Sequence, residues 1–252
     1  MKKLLLILVV VFTLFGGGCG PNSPDCFQAS GDIEQVQLEV PEFSSITVFE
    51  NIQLVLRYGP QQEVVLETGA NLRSDISAEV VEGTLELRDT NSCNYFRGYG
   101  RTTFYVTTPD LRVLRSSTGW SIRSDGILPF SDLSLFSESF TNPETETTDG
   151  SFDLEVAVER LRVVSNGIAY FKLRGQAGEL SVTIAAGDSR VDAMDLVSET
   201  VQVSHRGSND ISVRPLGRIS GVINGYGDVL SYERPPEVMV EETFRGRLIF
   251  ID

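Results

Sequence analysis

Apolar and polar residues alternate along most of this chain. Val36, Leu38 and Val40 are separated by single polar positions, as are Ile46 and Val48, and Ile52, Leu54 and Leu56. A period of two places every second side chain on the same face of an extended strand. Val64-Val65-Leu66, Leu85-x-Leu87 and Phe104-x-Val106 continue the series, with breaks at Gly59-Pro60, Gly69, Glu82-Gly83 and Thr108-Pro109-Asp110. Leu72 to Val80 is the one stretch with any claim to be helical, and its β-branched residues and serines argue against it. The pattern predicts an all-β fold.

The second half keeps a longer rhythm. Gly167, Gly187, Gly207 and Gly227 stand 20 residues apart, and Phe171, Val191 and Ile211 take the same step, as do Leu173, Ala193 and Val213. Strand-like runs precede the glycines, for example Leu180 to Ile184 and Val201 to Val203. Less regular copies begin at Leu111 and Leu133, and polar residues 141–150 interrupt the second of them. Such a repeat fits one turn of a parallel β-helix, or solenoid. It fits equally a meander or sandwich of antiparallel hairpins, since Ser165-Asn166-Gly167-Ile168 suits a tight turn. In a parallel coil the glycines would stack at one corner; in hairpins they would occupy separate turns.

The N-terminus departs from alternation in another way. Lys2-Lys3 precede an apolar run, Leu4 to Phe15, then Gly16-Gly17-Gly18-Cys19. The run is too short to span a bilayer, which takes about 20 apolar residues, and has the plan of a secretory signal. A cysteine directly after small residues is the mark of a bacterial lipoprotein, with Cys19 as the lipidated first residue. The expected organisation is a signal peptide over 1–18, a tether over 19–32 and a β-rich domain over 33–252. That domain divides into a first part, 33–110, and glycine-paced repeats, 111–252. The expected location is the bacterial cell envelope, with a lipid anchor holding the protein to the outer membrane.

Charge narrows the partners. Of 21 basic residues, removal of Lys2 and Lys3 leaves 19 against 35 acidic ones, a net charge of −16. So acidic a surface, without a basic stripe, speaks against nucleic-acid binding. Cys26 and Cys93 are the cysteines left after Cys19, and an even count in an exported chain reads as one disulfide. Closing that loop would stabilise the fold by roughly 4 kcal/mol.

These residues together resemble the putative auto-transporter adhesin head GIN domain family of bacterial surface lipoproteins. The likeness runs through Cys26-Phe27-Gln28, Gly31, Phe43-x-x-Ile46-x-Val48, Asn51-Ile52-x-Leu54-x-Leu56 and Val64-Val65-Leu66-Glu67. It continues through Gly69, Leu72, Glu79-Val80-x-x-Gly83-Thr84-Leu85-x-Leu87, Cys93-Asn94 and Thr107-Thr108-Pro109-Asp110-Leu111. The resemblance covers roughly residues 26–252. It implies a right-handed parallel β-helix and a cysteine pair at Cys26 and Cys93. It carries no catalytic motif.

Candidate chemistry is sparse. Asp188, Ser208 and Asp228 each follow a repeat glycine, with Asp192 and Asp195 nearby. Clustered carboxylates could serve as acid and base on a polysaccharide, but Asp after Gly is first of all a turn residue. Asn224-Gly225-Tyr226-Gly227-Asp228 resembles a single fragment of a calcium-binding repeat, and a single fragment does not make a site. His205, the sole histidine, reads as a solvent-facing turn residue, and no G-x-S-x-G motif is present. Trp120, Tyr95 and Tyr99 form the candidate binding surface, because aromatic rings can stack on sugars or anchor a partner. The expectation is a non-catalytic, adhesin-like binding or display module for a glycan or protein, with no cofactor and no metal. A structural envelope spacer is the alternative, and a carbohydrate-active enzyme the less favoured one.

Overall fold

The computed structural model describes residues 29–91, 98, 100 and 102–251. The signal segment, Cys19, Cys26, Cys93, Tyr95 and Tyr99 lie outside the described residues. The described chain is all-β. Its strands are β1 (Ile33–Leu38), β2 (Ser45–Val48), β3 (Ile52–Tyr58), β4 (Glu63–Gly69), β5 (Ile76–Val81), β6 (Thr84–Asp89) and β7 (Thr102–Thr108). There follow β8 (Val113–Ser116), β9 (Ser121–Leu128), β10 (Asp132–Ser137), β11 (Ser151–Ser165), β12 (Tyr170–Ile184) and β13 (Arg190–His205). The last four are β14 (Ile211–Ile223), β15 (Val229–Ser231), β16 (Glu237–Glu242) and β17 (Leu248–Phe250). Within Leu72 to Val80 the only helical element is a single 3-10 turn, Arg73–Asp75, after which the chain is extended.

All the strands join one network of mixed pairing. Antiparallel pairs are confined to the first part: β1 with β4, β4 with β7, and β5 with β6. The β5–β6 hairpin turns on Glu82 (φ 49°) and Gly83 (φ 77°), the two left-handed positions that a two-residue turn of this kind requires. From β8 onward every described pairing is parallel. Tyr170 lies beside Arg190, Val191 beside Ile211, and Val229 beside Leu248, so each turn of chain returns next to the previous one after about 20 residues. The antiparallel meander or sandwich therefore does not describe the repeats. Ser165-Asn166-Gly167-Ile168 turns a corner instead of reversing a strand.

The parallel register stacks like on like. One column runs Phe104, Leu54, Ile122, Phe152, Phe171, Val191, Ile211 and Val229, all fully buried. A second runs Leu85, Ile46, Leu114, Leu135, Val163, Val182 and Val203. The period-two pattern thus builds continuous apolar columns, and burial of such surface is the main favourable term in folding. Phe152 and Phe171 stack at 4.7 Å between centroids and 8° between planes. In β12 the buried positions are odd-numbered through Ala177 and even-numbered from Leu180, which marks a bend within the strand.

The glycines stack from one 20-residue repeat to the next. A Cβ on Gly187 would lie 2.2 Å from the Gly167 carbonyl oxygen, and one on Gly246 would lie 2.1 Å from that of Gly227. Gly187 also has φ +84°. Residues 138–150 form a loop between β10 and β11, and the register there steps by 28, from Asp132 to Arg160. Its anchor is Glu138, fully buried, which accepts Arg115 Nη1 at 2.5 Å and the backbone N–H groups of Phe140 and Thr141 at 2.9 Å each.

Candidate functional site

The carboxylates that the repeats align do not converge. Asp188 Oδ1 accepts from Ser208 Oγ at 2.7 Å, and its backbone carbonyl accepts from Asn209 Nδ2. Asp210 Oδ1 accepts the Asp228 N–H at 2.8 Å, and Asp228 Oδ1 in turn accepts the Arg247 N–H at 2.7 Å. Each acid pins its own turn to a neighbouring turn. Asp192 stands apart on a strand, with the Tyr170 hydroxyl 3.3 Å from its Oδ2, and Asp195 is in register with Arg174. Among the described residues no group of three His, Cys, Asp or Glu side chains is placed to hold a metal ion. In the 224–228 segment, Asp228 is engaged with Arg247 and the Asn224 N–H with the His205 carbonyl.

His205 corrects the expectation placed on it. It is fully buried, not solvent-facing, because it sits in register with Ile184 and Ile223 at an inward strand position. The Gly207 N–H reaches its Nδ1 at 3.4 Å. Burial lowers the imidazole pKa below its usual 6.5, and the Asn209 backbone, Asp210 and Asp228 offset only part of that. The unfolded chain therefore takes up this proton at a higher pH than the folded one. Stability from this residue is present above about pH 6.5 and lost as the pH falls through the lowered folded value. The melting temperature is expected to drop between pH 7.5 and 5.5, and His205→Leu, followed by circular dichroism at both values, should remove part of that drop.

Of the candidate binding surface, Trp120 is the described member. It is half-buried, and its ring lies about 3.0 Å from where a Cβ on Gly100 would be. Gly100 is held by Gln53 Nε2, which donates to its carbonyl at 3.0 Å. Trp120 is thus placed against the residue that follows Tyr99 in the sequence.

A feature that no motif announced is a groove of about 730 Å³ at the bend of the long strands. It crosses successive turns, from Phe130 past Ala157 and Ala177 to Glu199 and Leu216. The small side chains make the depression, and Gly178 keeps it open, since a Cβ there would come within 2.7 Å of the Glu159 carbonyl oxygen. Leu216, 49% exposed, stands on its wall. Glu159 and Glu199 are its two carboxylates, and no cation lines it. A groove of this size, part apolar and part acidic, can seat an elongated neutral or cationic ligand across several turns. The slip in alternation at Ala177–Leu180 was the sequence signal for the bend.

Comparison with known proteins agrees with this architecture. A family model described as putative auto-transporter adhesin, head GIN domain, matches residues 42–235. Among solved structures, a putative adhesin from Bacteroides fragilis superposes with a TM-score of 0.76 at 18% identity, over 88% of this chain and 98% of that one. A putative lipid binding protein from Parabacteroides distasonis gives 0.63 at 13% identity, over 89% and 99%. A putative adhesin from Parabacteroides merdae gives 0.59 at 12%, over 89% and 98%. At these identities the likeness is one of fold. No curated protein matches the sequence.

Proposed function

The chain belongs to the putative auto-transporter adhesin, head GIN domain family, and from that premise we propose that it is a lipid-anchored, non-catalytic binding and display module of the bacterial cell envelope. In this reading Cys19 carries the lipid, residues 19–32 are the tether, and Cys26 and Cys93 form a disulfide. Residues 33–252 wind as a right-handed parallel β-helix, for which the parallel register of about 20 residues is the support. Trp120, with Tyr95 and Tyr99, is proposed as a second, aromatic contact patch.

The observation that carries the proposal is the groove itself. It spans several turns of a repetitive scaffold, with two carboxylates, and its outward position suits an extended ligand more than a reaction. A glycan or an extended protein segment is the occupant that fits. Because one structural neighbour is named for lipid binding, vesicles belong among the ligands tested. The experiment is a screen of a glycan array, envelope proteins and neutral vesicles against the wild type and Ala157→Trp. Ala157 is exposed and lines the groove, so a tryptophan there fills it without entering the core. The captured ligand should bind the variant roughly tenfold or more weakly, a loss of about 1.4 kcal/mol or more, with an unchanged melting curve. Equal binding by both proteins would remove the groove from consideration.

A further inference from the structure

The groove at the bend carries its charge on one wall, at a fixed interval. Val158 and Arg160 of β11 pair with Ala177 and Glu179 of β12, and these with Ser198 and Thr200 of β13. Glu159, Gly178 and Glu199 therefore lie in line across three strands. Gly217 of β14 extends the line, and a Cβ there would collide with the Glu199 carboxylate. Neighbouring strands are about 4.8 Å apart, which sets the two glutamates about 9.6 Å apart with a glycine between them. Both are exposed. Asp153, Asp132 and Glu237 on the same turns are neutralised by Arg174, Arg160 and Arg218. Among the described residues no ion pair or side-chain hydrogen bond engages Glu159 or Glu199. The opposite wall, Ala157, Gln176 and Val197 in register, is uncharged.

The dimensions of the groove limit what can lie along these walls. It crosses five passes of the chain, from Phe130 to Leu216, a length of about 19 Å. Its 730 Å³ then leaves a channel roughly 6 Å wide. An α-helix, about 10 Å across, does not enter it. Strand addition is closed as well, because β11, β12 and β13 are paired on both sides. What fits is a single chain that needs no backbone ladder. A polyproline II segment is such a chain, rising about 3.1 Å per residue with three residues per turn. Its residues i and i+3 share a side and stand about 9.3 Å apart, against about 6.8 Å for i and i+2 of a strand. The former matches the interval between Glu159 and Glu199.

We infer that the occupant is a basic protein segment in polyproline II conformation, with Lys or Arg at i and i+3 set against Glu159 and Glu199. The inference rests on the groove as the ligand site and names the ligand. Ala157, Val197 and Leu216 take the apolar residues between the cations. Gln176, exposed on the same wall, is placed to donate to a backbone carbonyl, which this conformation leaves free of internal hydrogen bonds. The acidic surface of the chain draws a cationic segment towards it. An uncharged glycan would give the two carboxylates no counter-charge.

The test titrates the full chain with labelled proline peptides at low salt, read by fluorescence anisotropy. One peptide carries lysines at i and i+3, a second carries them at i and i+4, and a third has glutamine for both lysines. The first should bind at least fivefold more tightly than either of the others. Glu159→Gln and Glu199→Gln, both at exposed positions, should each remove that advantage with an unchanged melting curve, and Ala157→Trp should abolish binding. Equal affinity for the two lysine peptides, or binding indifferent to both glutamine variants, would overturn the inference. No peptide binding, with a glycan or vesicle still excluded by Ala157→Trp, would overturn it and leave the groove as the site of another ligand. Peptide binding unaffected by Ala157→Trp would place the contact elsewhere and remove the groove along with it.

Discussion

Gly187→Val is expected to destabilise the fold by about 4 kcal/mol or more, enough to leave a marginally stable domain largely unfolded. Two penalties act at once. Gly187 has φ +84°, a region that a β-branched residue adopts only with strain, and its Cβ would lie 2.2 Å from a backbone oxygen of the preceding turn. The oxygen belongs to Gly167 and cannot rotate away, and it accepts the Asp188 N–H at 2.7 Å, so moving it breaks the link between turns. Gly83→Ala isolates the first penalty. Its φ is +77° but nothing lies within 4 Å of the added carbon, so a cost of about 1–2 kcal/mol is expected. Denaturant unfolding of both variants separates the terms. Equal midpoints would mean that the turns are not in contact at the glycine corner.

The second large effect is at Glu138. Glu138→Ala should cost about 3–5 kcal/mol, because it leaves the Arg115 guanidinium, only 12% exposed, without its counter-charge. It also orphans the Phe140 and Thr141 N–H groups that fix the start of the 138–150 loop. Burial alone would raise the pKa of this carboxyl, but the Thr141 and Arg115 hydrogen bonds outweigh it and hold the value below the usual 4.5. Here the sign is that of a depressed acid. The stabilisation is complete above about pH 4.5 and fades as the pH falls through the lower folded value. Acid unfolding of the wild type should therefore begin below pH 4.5. Glu138→Ala should be weakened at neutral pH and lose less between pH 5 and 3. An acid transition identical in both proteins would locate the sensitive carboxylate elsewhere.

Much of this architecture is written in local pattern. Alternation marks the strands because one side of each faces the core, and the step from Phe171 to Val191 to Ile211 is the length of chain in one turn. Direction is less legible, since a corner and a hairpin use the same Ser-Asn-Gly chemistry, and only the pairing of β12 with β13 decides it. The first part is harder still. β2 pairs with β6 and with β8, so that Ser45 meets both Thr84 and Val113, across separations that no period announces. His205 was misread because its neighbours are polar, although it stands two residues from Val203 on the same inward face. The Arg115–Glu138 pair ties β8 to the start of the 138–150 loop across 23 residues and has no local signature. The groove was hidden for the opposite reason: alanine and glycine at a bend look like nothing in particular until the register aligns them.

The hydrogen bonds between turns point along the direction in which the turns pile up. A pull between β1 and β17 would load those bonds lengthwise, opening them one turn at a time instead of shearing them together. Each turn that lets go frees about 20 residues, or about 65 Å of slack at roughly 3.3 Å per residue. Under drag such a molecule would pay out in steps, as a brake does, and the force it transmits would be limited.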